Sequence, residues 1–220
     1  MDFQFSVSLE VMPALLYGAR LTLYFALASA CLGIVLAILL NLLLLPNSAA
    51  LRGFYKFYVS FIRGTPTVIL IFLCYYVLPV LRIDLSPAVA GTIALAINLS
   101  AFAAEILRGA IAAVPKGQIE AARSLGLGPL RSFGLIVLPQ AIIRSIPALM
   151  NEFTFVVKST PLLSLITVVE LMRTGQQIFS TNFRPLEVLL GVAFIFFMIN
   201  FTFSKLALVV EGAVQKRLGR

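Results

Sequence analysis

A carboxylate and an ammonium group lie within a long, mostly apolar run of the sequence. Glu152 and Lys158 belong to the run from about Leu138 to Val169. Six residues of an ideal helix span roughly 9 Å along its axis, so the two charges cannot pair directly with each other. Each needs a separate partner, because an unpaired charge in an apolar environment is unfavourable. Charges arranged in this way are suited to the two charged groups of a zwitterionic solute.

Phe155 and Ser159 are expected to accompany these charges. In a helix, Asn151, Phe155 and Lys158 share one face, and Glu152 and Ser159 lie on the adjacent face. We therefore predict that these side chains line a solute path. The alternative is that Glu152 and Lys158 point in opposite directions or pair with other helices.

A further polar position, Asn98, lies in the uncharged run from Leu85 to Ala104. Polar groups deep in such a run normally face the protein interior or a water-filled path, so Asn98 and the nearby Ser100 are predicted to line the same path. Asn98 shares a helical face with Glu105. The alternatives are an interhelical hydrogen bond for Asn98 and an ordinary ion pair of Glu105 with Arg108.

The segment "EAARSLGLGP", residues 120–129, interrupts the apolar chain. It predicts a short helix over about residues 116–127, stopped by its glycines and proline, and too short and too charged to cross a membrane. Small residues leave its surface open to close approach, and two charged residues supply polar contacts: Ala121, Ala122 and Gly126, with Glu120 and Arg123. We predict a cytoplasmic helix that docks into a cleft of another protein; the alternative is a simple connecting loop.

Membrane-spanning helices must position all these residues. The chain of 220 residues is 60% hydrophobic and 12% charged, whereas soluble domains carry about 25% charged residues. Several uncharged runs approach or exceed the roughly 20 residues that a helix needs to cross a bilayer, and such runs favour helices over barrel strands. We predict an all-α membrane protein, a single domain over residues 1–220, with five transmembrane helices at about residues 18–45, 64–81, 85–108, 139–166 and 186–210.

Small residues and prolines predict local features of these helices. Ser29, Gly33 and Ala37 recur every four residues, which allows a second helix to pack closely; the alternative is mere tolerance of small residues. Pro161 should kink or end the fourth span. The start of the chain has no basic residue before Arg20, so we do not expect a cleavable signal peptide. Residues 3–19 are expected instead to form a short interfacial helix ahead of the first span.

The basic residues predict the orientation in the membrane. The formal net charge is +8, and most of the basic residues fall on one side of a five-span arrangement. By the positive-inside rule this side is cytoplasmic, with the N-terminus outside and the C-terminus in the cytoplasm. The charge is thus a topology signal and does not indicate nucleic-acid binding. The cytoplasmic set is Arg52, Lys56, Arg63, Arg108, Lys116, Arg123, Arg131, Arg144, Lys205, Lys216, Arg217 and Arg220.

Several kinds of chemistry are disfavoured. The chain has no histidine, which removes the usual metal ligand and general base. It also lacks a G-x-x-x-x-G-K-[ST] phosphate loop. Cys31 and Cys74 both fall within predicted spans, where cysteines usually behave as small apolar residues. We expect no enzymatic site and no cofactor on this chain, so any ATP must bind to another protein.

The order of several motifs resembles a known family. Glu120-Ala121-Ala122, Gly126 and Leu138-Pro139 resemble the EAA loop of ABC-importer membrane subunits. Four further segments resemble the polar amino acid subfamily of those subunits, and together they cover nearly the whole chain: "LLYGARLTLYFALASACLG" at 15–33, "RGTP" at 63–66, "INLSAFAAEILRGA" at 97–110 and "NEFTFVVKSTPLLSLI" at 151–166. One departure is Ser159-Thr160-Pro161-Leu162, where a second polar residue would be expected in place of the proline.

The resemblance implies a five-span permease of the bacterial cytoplasmic (inner) membrane that carries a polar amino acid, the cationic ones included. It implies three kinds of partner: a second permease subunit, identical or a sister chain; two ATPase subunits, which bind ATP and Mg²⁺; and an external solute-binding protein. It also implies that the EAA helix docks into a groove of the ATPase and transmits its closure. The rival classes are a secondary transporter, a membrane-embedded enzyme and a passive channel.

Overall fold

The computed structural model describes residues 4–44, 46 and 48–217, and these residues are almost entirely helical. They contain no β-strand, so the predicted all-α class is confirmed for this part of the chain. Arg220, a member of the predicted cytoplasmic set, lies outside it. The α-helices are α1 (Phe5–Glu10), α2 (Met12–Leu42), α3 (Ala49–Gly64), α4 (Thr67–Phe72), α5 (Pro87–Ala112), α6 (Lys116–Ser124), α7 (Pro129–Ser132), α8 (Leu138–Ser159), α9 (Leu171–Asn182) and α10 (Pro185–Arg217).

Four segments of the described chain are long and apolar enough to cross a membrane: α2, α5, the segment Pro129–Ile166 that contains α8, and α10. A fifth crossing is present if α3 and Thr67–Leu81 count as one span, bent by 107°. The bend falls at Thr65 and Pro66, whose backbones are extended, with ψ of 127° and 137°. Proline also lacks the N–H that would continue the helical hydrogen bonding. The chain therefore has four to five candidate transmembrane helices.

Two details differ between the predicted spans and the observed helices. α2 begins at Met12, so residues 12–19 are the first turns of a long helix, and α1 alone precedes it instead of an interfacial helix over residues 3–19. α8 ends at Ser159 and the chain continues as a 3-10 helix over Thr160–Ile166. The expected break at Pro161 is thus confirmed, whereas Pro147 lies inside α8 without ending it.

The closest helix pairing joins α2 and α5, which run parallel. Ser29 Oγ donates to the carbonyl of Thr92 at 3.2 Å, and Asn41 Nδ2 donates to the carbonyl of Ala104 at 3.0 Å. Both hydrogen bonds join residues 63 positions apart, so the two helices stay in register over three turns. Between them, a Cβ placed on Gly33 would lie 2.9 Å from the carbonyl oxygen of Ala96. The packing role predicted for the small-residue stripe is confirmed.

A buried glutamate fixes α9 against α2. Glu170 is fully buried, and its carboxylate accepts hydrogen bonds from the backbone N–H groups of Met172 at 2.9 Å and Arg173 at 2.7 Å. The hydroxyl of Thr22, also buried, donates to it at 3.4 Å and accepts from the N–H of Leu171 at 3.1 Å. Burial raises the pKa of the Glu170 carboxyl, and these hydrogen bonds oppose the rise. The first backbone N–H groups of α9 therefore all have hydrogen-bond acceptors within the protein.

The substitution Gly33→Leu should destabilise the pairing of α2 with α5. A larger side chain must push against the backbone of α5, and overpacking of this kind costs about 1–3 kcal/mol. Thermal unfolding of the purified chain in detergent should show a lower midpoint than for Cys31→Leu, which adds bulk at an exposed position of the same helix. Equal midpoints for the two variants would contradict the close packing described.

Candidate functional site

α6 occupies the position predicted for the docking helix, and its end is closed by glycine. The N–H of Gly126 donates to the carbonyl of Arg123 at 2.9 Å, and the N–H of Leu127 donates to the carbonyl of Ala122 at 3.1 Å. This pair of hydrogen bonds is the Schellman motif, which needs a left-handed residue after the helix. Gly126 supplies it with φ of 76°. A Cβ at this position would have no atom within 4 Å. A side chain would therefore have room here, and it is the left-handed backbone conformation that favours glycine.

Most residues assigned to the docking surface are exposed, and one is not. Glu120, Ala121, Arg123 and Gly126 are exposed. Ala122 is only 1% exposed, so its side chain faces the protein's own interior. The alanine pair thus has one member directed outward and one that fixes α6 to the rest of the chain.

Two exposed leucines near α6 were not predicted from the sequence. Leu125 is 79% exposed and Leu130 is 84% exposed, and both lie close to the glycine turn that follows α6. They add apolar area to the exposed surface that also carries Glu120 and Arg123. The signal was present in the sequence, since both leucines interrupt an otherwise polar and glycine-containing segment.

Hydrogen bonds flank α6 on both of its sides. Before it, Arg144 of α8 donates from Nη1 to the carbonyl of Ala113, at the end of α5, at 2.9 Å. Beyond it, Ser132 of α7 is buried and donates to the carbonyl of Leu127 at 3.3 Å. The first hydrogen bond joins the end of α5 to α8, and the second closes the turn that follows α6.

Glu152 and Lys158 of α8 make no hydrogen bond or ion pair in the part of the chain that the structure describes. Glu152 is half-buried and Lys158 is exposed. Phe155 is 46% exposed on the same side as Lys158. The face of α8 predicted from helical periodicity is thus observed. Ser159 is buried instead, and its hydroxyl donates to the carbonyl of Phe155 at 2.9 Å.

The predicted polar residues of α5 are buried. Asn98 is 5% exposed and Ser100 is fully buried. The hydroxyl of Ser100 lies 2.6 Å from the hydroxyl of Tyr58 and 2.7 Å from the carbonyl of Ile97. The hydroxyl of Ser100 therefore holds α3 against α5 and is not exposed.

Glu105 lies at the centre of a charged cluster between α3 and α5. Arg108 donates to its carboxylate from Nε at 2.9 Å and from Nη2 at 2.8 Å, as the sequence suggested. The hydroxyl of Tyr55 adds a third hydrogen bond at 2.8 Å. Arg63 lies with its guanidinium 5.1 Å from the ring centroid of Phe102. No group of three Cys, Asp or Glu residues suited to a metal ion occurs among the described residues.

Arg63 lies in the last turn of α3, directly before the bend, and lines the same cavity as Glu105 and Arg108. The sequence placed it only in the predicted cytoplasmic set. Its position beside α5 depends on how α3 is rotated, which a local pattern does not reveal.

Known proteins similar to this chain are transport subunits. A model of the family described as "Binding-protein-dependent transport system inner membrane component" matches residues 21–218. The L-cystine transport system permease protein TcyB of Bacillus subtilis is 35% identical over 209 residues, which cover 94% of this chain and 88% of that protein. The glutamine transport system permease protein GlnP of Escherichia coli is 34% identical over 208 residues, which cover 93% of this chain and 94% of that protein.

A solved structure extends the likeness to three dimensions. A chain of an amino acid ABC transporter crystallised with histidines matches with a TM-score of 0.90 and 33% sequence identity, covering 97% of this chain and all of that one. The subunits of this family are the membrane-spanning permeases of ABC systems and lack an ATPase site of their own. Together with its apolar helices, these likenesses make the chain a multi-pass protein of the bacterial inner membrane that belongs to the family of binding-protein-dependent transport system inner membrane components.

Proposed function

We propose that this chain is the permease subunit of an ATP-driven importer and forms the translocation path for a polar amino acid, the cationic ones included. The N-terminus lies outside and the C-terminus in the cytoplasm, with α6 as the cytoplasmic coupling helix. The observation that carries the proposal is that α6 is exposed on one side, has Ala122 buried on the other, and lies in the chain between α5 and the segment that leads into α8, which Arg144 joins to the end of α5. The names of the similar permeases support an amino acid as the substrate.

The proposed assembly contains a second permease subunit, two ATPase subunits and an external solute-binding protein. ATP and Mg²⁺ bind to the ATPase subunits, and this chain holds no cofactor. Glu120, Ala121, Arg123 and Gly126 form the contact surface with the ATPase, while Ala122 keeps α6 seated on its own chain. The exposed Leu125 extends that surface with an apolar contact.

Coupling follows from the way in which α6 is held. When the two ATPase subunits close on ATP, each moves the α6 that it contacts. α6 is continuous in the chain with α5 and with the segment that leads into α8, and the Arg144–Ala113 hydrogen bond joins those two helices, so the movement passes to both. These helices carry the residues of the path, so the path changes from inward-open to outward-open. ATP must bind the closed conformation more tightly than the open one, because a ligand shifts an equilibrium only by its differential affinity.

The proposed path runs along the exposed face of α8. Glu152, Phe155 and Lys158 contact the solute directly, because neither charge makes a hydrogen bond or an ion pair with the described residues. Glu152 would bind an ammonium or guanidinium group, and Lys158 a carboxylate. Asn98, Ser100 and Ser159 are buried and support this face. The hydroxyl of Ser100 lies against that of Tyr58, and the hydroxyl of Ser159 donates to the carbonyl of Phe155 near the end of α8.

The substitution Gly126→Asp should uncouple the subunit from its ATPase while leaving it inserted in the membrane. Aspartate brings a charge into the docking surface and strains a backbone with positive φ. We expect substrate-stimulated ATP hydrolysis in proteoliposomes to fall about tenfold, the effect of roughly 1.4 kcal/mol. Gly126→Asn is the matched control, because it has nearly the same shape, no charge and a better tolerance of this conformation. Normal stimulated hydrolysis in Gly126→Asp would reject α6 as the coupling helix.

The substitutions Glu152→Gln and Lys158→Gln should each impair uptake. Each removes one charged hydrogen-bonding group, worth about 1.5–3 kcal/mol, so we expect the apparent affinity for the amino acid to fall by more than about tenfold. Co-purification of the ATPase subunit should be unchanged, since neither residue lies near α6. Glu211→Gln, at an exposed position of α10, is the control. Wild-type uptake kinetics in both variants would assign Glu152 and Lys158 to structural roles.

The same proteoliposomes separate the proposed class of transporter from its rivals. Uptake should require both ATP and the ATPase subunit. A secondary transporter would instead accumulate the amino acid on a proton or sodium gradient without that subunit, and a passive channel would equilibrate it without either. Uptake in the absence of the ATPase subunit would therefore contradict the proposal.

A further inference from the structure

A cavity rich in basic residues opens between α3 and α5, at the end of the bundle that carries α6. Its volume is about 530 Å³, and four cations line it: Arg52, Lys56, Arg63 and Arg108. The carboxylate of Glu105 also lines the cavity. That carboxylate is already engaged by two hydrogen bonds from Arg108 and one from Tyr55. Lys56, Arg63 and Arg108 thus line the cavity with Glu105 as the one acidic lining residue, so positive charge exceeds negative charge even with Arg52 left aside.

A second cavity adjoins the first and has the opposite character. It is a groove of about 440 Å³ between α2, α5 and α8, and nearly all of its lining is apolar, with Ile38, Leu107, Ile142 and Leu149 among the lining residues. Ile38 and Ile142 are 47% and 46% exposed, so the groove opens to the outside of the bundle. Arg108 and Leu44 line both cavities, which makes the basic cavity and the apolar groove neighbours that meet at one arginine.

We propose that the two cavities together bind one phospholipid with an anionic headgroup. The phosphate and the rest of the headgroup occupy the basic cavity, beside Lys56, Arg63 and Arg108. One acyl chain lies in the apolar groove against Ile38 and Ile142. This site is separate from the proposed substrate path and does not depend on the identity of the transported amino acid.

The combination of cavities selects a lipid over a small anion. A free phosphate would be satisfied by the basic cavity alone and would leave the apolar groove unfilled. A neutral lipid would fill the groove but leave the cations without a counter-charge. Basic pockets between membrane helices near the cytoplasmic surface are known to bind anionic headgroups. The long stems of Lys56 and Arg63 also allow their charges to reach the headgroup region while the stems stay in apolar surroundings.

The position of the site gives the lipid a physical effect on the fold. The basic cavity lies between the bent α3 and α5, and the groove lies between α2, α5 and α8. One bound molecule would therefore contact all four helices near the ends that α6 joins. It would stabilise the arrangement in which α3 lies against α5 through Tyr55 and Tyr58.

The test uses the full chain, reconstituted in bilayers that contain equal amounts of phosphatidylglycerol and phosphatidylethanolamine with identical acyl chains. After extraction in mild detergent, native mass spectrometry measures the lipid that stays bound to each chain. We expect one retained phosphatidylglycerol. Lys56→Gln should lower its retention about fivefold through loss of a cation, and Ile38→Trp should lower it at least as much by filling the groove.

Two control variants test whether the losses come from the two cavities and not from a change of charge or bulk elsewhere. Lys205→Gln removes an exposed cation that lines neither cavity, and Val35→Trp adds the same bulk to an exposed position of α2 outside the groove. Both should retain the lipid as the wild type does. Equal retention of the two lipids, or equal retention in all variants, would overturn the proposal. Sensitivity to Lys56→Gln without sensitivity to Ile38→Trp would also overturn it, because the site would then bind an anion without an acyl chain.

Discussion

A polar group in lipid has no water to bind, and this constraint explains where the chain places its polar side chains. Ser29 and Asn41 of α2 donate to backbone carbonyls of α5. Ser100 is joined to Tyr58 of α3, and Thr22 is joined to Glu170 at the start of α9. Each of these contacts satisfies a polar group and at the same time fixes one helix against another. The bundle is therefore held together by close packing of small residues and by hydrogen bonds, as expected where the surrounding solvent is itself apolar.

Glu152 and Lys158 stand out against this background. Glu152 is half-buried and Lys158 is exposed, and this carboxylate and this ammonium make no hydrogen bond or ion pair with the described residues. They lie on a helix whose end is a 3-10 segment, and irregular backbone at membrane depth is tolerated where it faces protein or a water-filled space. The simplest physical account is that their partners come from outside the chain: a solute, a second subunit or both.

The chain places a short surface helix, α6, between two long helices. α6 is only nine residues long, but it lies between the end of α5 and the segment that leads into α8. Arg144 and Ser132 close this connection with hydrogen bonds to backbone carbonyls. Because α5 also packs along α2 in register, α6 is connected through α5 to a second long helix. The same end of the bundle holds the basic cavity and the apolar groove.

The sequence by itself determined the class of the protein, the helical segments and the short helix between α5 and α8, because these depend on local composition and periodicity. The small-residue stripe of Ser29, Gly33 and Ala37 was readable for the same reason, as were the shared face of Phe155 and Lys158 and the break at Pro161. Only the tertiary structure decided that Ala122 faces inward, that Ser100 lies against Tyr58 and that Arg63 lies over the ring of Phe102. These features depend on how each helix is rotated and on the 107° bend after α3, which are set by contacts between residues far apart in the chain and by no local pattern.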